Sequence, residues 1–110
     1  SGELERLQLN WRQVIEQAPE SARRTPAIAI LRSAGVKPVA LEGDMVTLTF
    51  RYSYHKDKIE ELENKRVVAK IISRFLGHSC QVCCAYKPEE NHLVREAQKL
   101  GAQIINVEEK

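Results

Sequence analysis

The sequence predicts a small α+β domain with the element order helix, helix, strand, strand, helix, helix, strand. Three observations predict it. An apolar stripe at helical spacing runs through residues 64–77, NKRVVAKIISRFLG. Two short alternating runs, residues 37–42 and 45–50, are separated only by Gly43-Asp44, and a strand-like run, SCQVCCAY, follows Gly77 directly. Strands this short need a shared sheet to persist, so the three are expected in one three-stranded, mainly antiparallel sheet packed by the helices. Residues 1–87 form the domain, and residues 88–110 form a helical tail.

Taken in order, residues 3–18 place Leu4, Leu7, Trp11, Val14, Ile15 and Ala18 at spacings of three and four, the pattern of an amphipathic helix with Trp11 on its core side. Pro19 follows its end. Thr25-Pro26 opens a second helix, since threonine is a good N-cap and proline suits the first helical position; Ala27, Ile28, Ile30, Leu31 and Ala34 supply its apolar surface and Gly35 closes it. The two helices are read as an antiparallel pair. In the hairpin, Val39 and Leu41 share one face of the first strand, and Val46, Leu48 and Phe50 one face of the second. Ser53 then N-caps a short helix carrying Tyr54, Lys58, Ile59 and Leu62, and Asn64 caps the next. That helix buries Val67, Val68, Ile71, Ile72, Phe75 and Leu76 along one side and stops at Gly77, where a left-handed residue is needed. In the tail, Leu93, Val94, Ala97 and Leu100 mark a helical stretch ended by Gly101, with a short strand over residues 103–107.

A chain of 110 residues is long enough to bury about two-thirds of its unfolded surface, so no disulfide or metal staple is required. The net charge of +2 is too small to announce nucleic-acid binding. No run is apolar and long enough to span a bilayer, and the three cysteines lie together as Cys80, Cys83 and Cys84, a spacing unsuited to a disulfide. A reducing, cytoplasmic setting fits. The opening Ser1-Gly2 resembles a tag-cleavage remnant, which implies a piece of a longer protein.

Chemistry-bearing motifs are sparse. Cys80, Cys83 and Cys84, with His78 upstream and His55 and His92 as lone candidates, make half a zinc site at most, because an alternating strand points Cys80 and Cys84 one way and Cys83 the other. Buried cysteines acting as small hydrophobes are the expected reading, with no metal site. The serines lack a nucleophile-elbow context, and five scattered glycines form no phosphate loop, so neither catalytic nor cofactor-binding residues are assigned. The acidic run Glu60, Glu61, Glu63 reads as a solvated helix end. What stands out is a basic row opposite the apolar stripe. Arg66, Lys70 and Arg74 are one turn apart with Lys65 at the margin, and these four are the expected partner-binding residues. The element order is KH-like, and KH domains clamp single strands with a G-x-x-G loop. Gly77-His78-Ser79-Cys80 has only the first of those glycines and aromatics are few, so a nucleic-acid module using the basic face of the 64–77 helix is the alternative function.

The segments LNWRQVIE, RTPAIAILRSAGVKPVALEGDMVTLTFRYSYHKDKIE and NKRVVAKIISRFLGHSCQV together resemble the C-terminal region of the gamma/tau subunit of bacterial DNA polymerase III. The resemblance covers residues 9–85, with GAQIINVEE similar to the segment that ends many such proteins. It rests on an ordered series: Trp11, the Thr25-Pro26 helix, Leu41-Glu42-Gly43-Asp44, Tyr54-His55-Lys56 and Leu76-Gly77. The resemblance implies a non-catalytic adaptor of the replisome in DNA replication, with the ATP-binding clamp-loader motor in a more N-terminal part of the parent chain. Its implied partner is the polymerase catalytic subunit or another replisome protein, with DNA a further candidate. It supplies no residue-level map, so the four basic residues stand on local physics alone.

Overall fold

The hairpin forms where the alternation requires it. In the computed structural model, which describes residues 2–33 and 35–88, β1 (Val36–Glu42) and β2 (Met45–Phe50) pair antiparallel from Val36↔Phe50 to Glu42↔Met45. Gly43 has φ +60° while Asp44 does not take a positive φ, the pattern of a two-residue loop with glycine in its first position. β3 (Gln81–Tyr86) joins β2 in parallel, Met45↔Gln81 to Phe50↔Tyr86, so the sheet is mixed, in the order β1-β2-β3. The protein is a small α+β fold whose helices pack on this sheet.

Val46, Leu48 and Phe50 are fully buried on the inner face of β2, as the alternation predicts. The first strand departs from its expected pattern. Val36 and Pro38, opposite Phe50 and Leu48, face inward with Leu41, opposite Val46, whereas Val39 is 37% exposed. The register shifts between Pro38 and Ala40, making Val39 the extra residue of a bulge, and the bulge reverses the parity of everything after it. Pro38, which has no N–H for a ladder bond, sits beside this irregularity.

The expected helix over residues 3–18 is two helices, α1 (Gly2–Leu9) and α2 (Trp11–Glu16). Asn10 divides them. Its backbone leaves the helical region at φ −107°, ψ 15°, and its side-chain amide donates to the Arg6 carbonyl at 2.8 Å, the local competition with helix that asparagine commonly offers. Trp11 is half-buried against the core, and its Nε1–H donates to the Val36 carbonyl at 3.1 Å, tying α2 to β1. A short α3 (Glu20–Arg23), absent from the sequence reading, follows Pro19.

α4 (Pro26–Arg32) begins after Thr25 as expected, but the Thr25 hydroxyl donates to the Ala22 carbonyl at 2.6 Å instead of capping the helix. It ends at Arg32, three residues before Gly35, and the C-cap Ser33 donates through its hydroxyl to the Ile30 carbonyl at 2.7 Å. Gly35 therefore serves another purpose. Its φ is +90°, its carbonyl accepts from the Arg51 N–H at 3.0 Å, and a Cβ there would lie 2.4 Å from the Arg51 Cβ.

α5 (Ser53–Glu60) and α6 (Leu62–Leu76) connect β2 to β3. Tyr52, not Ser53, occupies the first N-cap position, and Glu61, not Asn64, the second. Asn64 is instead buried within α6 and donates to the Lys58 carbonyl at 2.8 Å, satisfying one of the acceptors that the end of α5 leaves open. Gly77 closes α6 as predicted, with φ +86° and its N–H on the Ser73 carbonyl at 2.8 Å. Ser73 also accepts the Cys80 N–H at 2.8 Å, which fixes the turn into β3. Among the described residues, no helix is long and apolar enough to cross a membrane. The helix and strand expected in the tail lie outside the described residues, apart from Pro88 at its start.

Replacing Gly35 with alanine is expected to destabilise the fold by about 2 kcal/mol or more, because a left-handed alanine costs about 1–2 kcal/mol and the new methyl meets a backbone-anchored Cβ. Gly77→Ala, with open space around the added methyl, should cost only the conformational part, about 1 kcal/mol. Urea denaturation of the two variants reads the difference; equal losses would contradict the close approach at Gly35.

Candidate docking groove

α6 presents two rows side by side. Val67, Ile71 and Phe75 are four residues apart and form an apolar row; Arg66, Lys70 and Arg74, also four apart, form the adjoining basic row. Val68, Ile72 and Leu76 on the next row are buried under the helix. Ile71 is buried as well, but Val67 and Phe75 are only half-covered, so the edge of the predicted stripe lies open.

Opposite this edge stands the corner between α2 and α3. Pro19 has the extended conformation φ −62°, ψ 155°, and Arg23 clamps the corner by donating to the Ala18 carbonyl at 2.9 Å and the Glu16 carbonyl at 2.6 Å. Between corner and helix lies a groove of about 440 Å³ that includes Val14, Pro19, Ile71, Arg74 and Phe75. A second recess of about 200 Å³, lined by Ala22, Val67 and Lys70, shares Pro19, Ile71 and Arg74 with it. The Arg6 guanidinium lies 5.1 Å from the centroid of the Phe75 ring at the far end.

Of the four basic residues, Lys70 and Arg74 border the groove, and neither forms an ion pair among the described residues. Arg66 continues their row but sits 4.0 Å from the Glu63 carboxylate, both well exposed, a contact worth little in water. Lys65 is half-buried on another side, near enough to Cys84 to act on its thiol. The predicted patch thus divides into a groove-bordering pair and two residues with other neighbours.

The cysteines separate as the alternation requires: Cys80 is buried, Cys84 half-buried and Cys83 exposed on the opposite face. The reading of these cysteines as small buried hydrophobes therefore fits Cys80 and Cys84 and does not extend to Cys83. Burial pushes the Cys84 thiol up to about 11, with Glu60 adding to the effect and Lys65 opposing it, and burial raises Cys80 as well. Among the described residues, no three His, Cys, Asp or Glu side chains are grouped to hold a metal ion; His92 lies outside them.

His78, considered in the sequence only as a zinc ligand, has a structural position that its local spacing does not reveal. Its Nε2 is 2.7 Å from Glu3 Oε2 on α1, and its Nδ1 is 3.3 Å from Asp44 Oδ1 in the hairpin turn. Glu3 and His78 are too far apart in the chain for any motif to link them. The Glu3 hydrogen bond is the main cause of a pKa raised above the ordinary 6.5. No protein-family model matches the chain, and comparison with curated proteins finds no match either.

The raised His78 pKa makes its contribution to stability complete below about 6.5, the unfolded value, and lost as pH rises through the higher folded value. Wild-type stability should therefore fall over that window relative to His78→Gln, which lacks the group; parallel pH–stability curves would disprove the clasp. Among the cysteines, Cys83 should be alkylated first by iodoacetamide at neutral pH, since Cys84 is held protonated and Cys80 is covered. Mass-mapped labelling that begins at Cys84 would contradict this.

Proposed function

We propose that this domain is a non-catalytic protein-docking module of the gamma/tau clamp-loader subunit of bacterial DNA polymerase III. In this reading it works in the cytoplasm and links the clamp loader to the polymerase catalytic subunit during replication. The family part of the reading rests on the resemblance over residues 9–85. The docking part rests on one observation, an apolar row left half-covered beside cations that have no partner within the described chain. A solvated helix face needs no groove next to it, whereas an interface combines an apolar floor with a polar rim.

The alternative, single-stranded nucleic acid on the basic row, is favoured by the one-turn spacing of Arg66, Lys70 and Arg74. Against it, the junction of α5 and α6 carries Glu60, Glu61 and Glu63 and no glycine, so it repels phosphate instead of cradling it. Three phosphate contacts would give a log–log salt slope of about −2.

The test is titration of the protein with the purified polymerase catalytic subunit and, separately, with oligo-dT, each at two salt concentrations. The docking reading expects saturable binding to the subunit that weakens about tenfold or more when Lys65, Arg66, Lys70 and Arg74 are all changed to Glu, with unchanged circular dichroism. Failure to bind the subunit, or oligo-dT binding with the slope above, would overturn it.

A further inference from the structure

Resting on the docking reading, we infer that the groove between α6 and the Pro19 corner receives an acidic amphipathic helix about two turns long. Such a helix would place its apolar side chains over Ile71 and its carboxylates against Lys70 and Arg74. The length follows from the wall. Val67 and Phe75 are eight residue steps apart along the α-helix, or about 12 Å at 1.5 Å per step, which matches about two turns of a partner lying alongside. A helix-in-groove partner needs anchors at i, i+3 or i+4, and i+7, and the two joined recesses supply a seat on either side of Ile71.

The sign follows from the rim. Lys70 and Arg74 flank the apolar row, and Arg6 lies over the Phe75 ring at its end. Among the described residues no carboxylate lines either recess; Glu20 and Glu63 stand outside them in exposed pairs with Arg24 and Arg66. Carboxylates one turn apart on a partner helix would meet cations one turn apart on α6, and closing the groove over them would remove the water that screens such pairs. A neutral helix would desolvate Lys70 and Arg74 without compensation and so would bind more weakly, and a basic one would be disfavoured further by like-charge repulsion.

The probe is a fluorescein-labelled helical peptide of about four turns, with leucine at i, i+4 and i+7 and glutamate beside each leucine, titrated into the 110-residue chain. Its controls carry glutamine or lysine in place of glutamate. The expected result is saturable binding of the acidic peptide, a loss of about tenfold for the glutamine version, and a similar loss for Lys70→Glu/Arg74→Glu. The lysine peptide should bind that double variant better than it binds the wild type, a swap that a folding defect cannot imitate. Ser21→Trp, which fills the recess from its exposed wall without changing charge, should also weaken binding.

Equal affinity for the acidic and neutral peptides, or indifference to both variants, would overturn the inference. So would a doubling of sedimentation mass that the charge variant abolishes, which would give the groove to a second copy. If the polymerase subunit binds and the peptide does not compete, the groove assignment fails and the docking reading survives. If the peptide binds and the subunit does not, the assignment stands and the named partner falls.

Discussion

The parallel pairing of β2 with β3 is the constraint on which the rest of this domain depends. Parallel neighbours cannot be joined by a tight turn, so the chain must leave one end of the sheet and return to the other through a connection of a dozen residues or more. α5 and α6 are that connection. Because it crosses the sheet, α6 lays Val68, Ile72 and Leu76 toward the buried face formed by Val46, Leu48 and Phe50, and this shared burial supplies the centre of the core. Two polar contacts hold the crossover in place: Asn64 braces the start of α6 against the end of α5, and Ser73 ties its last turns to the entrance of β3.

The groove is a consequence of the same geometry. A stripe of six apolar residues on α6 is wider than the sheet beneath can cover, and the α2–α3 corner reaches only part of the remainder. The fixed φ of Pro19 and the two Arg23 hydrogen bonds to the Ala18 and Glu16 carbonyls brace that corner where it leaves the gap. Lys70 and Arg74 beside it contribute little to stability while they stand in water. Their electrostatic value rises when another surface excludes that water, which is why an open apolar row next to cations has a different physical meaning from a solvated charged face.

Residues remote in sequence meet around the open ends of the same sheet. His78 joins α1 to the hairpin turn through Glu3 and Asp44, and the indole of Trp11 joins α2 to β1. Both contacts bind the N-terminal helices to the strands, and so set where the α2–α3 corner stands relative to α6. The cysteines, by contrast, behave as parts of a strand: alternate residues face opposite sides, and burial raises the thiol pKa of the inward pair.

Local physical rules were enough to read the hairpin, the inner face of β2, the Thr25-Pro26 helix start, the apolar stripe of α6 and its stop at Gly77. Each depends on side-chain periodicity or on a single residue's allowed backbone angles, and such information is carried within a few neighbouring positions. The bulge at Val39, the role of Gly35 opposite Arg51 and the engagement of Asn64 with α5 were decided by tertiary structure, because each answers to a partner that local pattern does not identify; the break at Asn10 is a local effect, an amide donating to the Arg6 carbonyl four residues back. The candidate site divides the same way. The basic row was legible as a helical spacing, whereas the groove beside Lys70 and Arg74 exists only because a distant corner at Pro19 stops short of Val67 and Phe75, and no periodicity within α6 records where that corner lies.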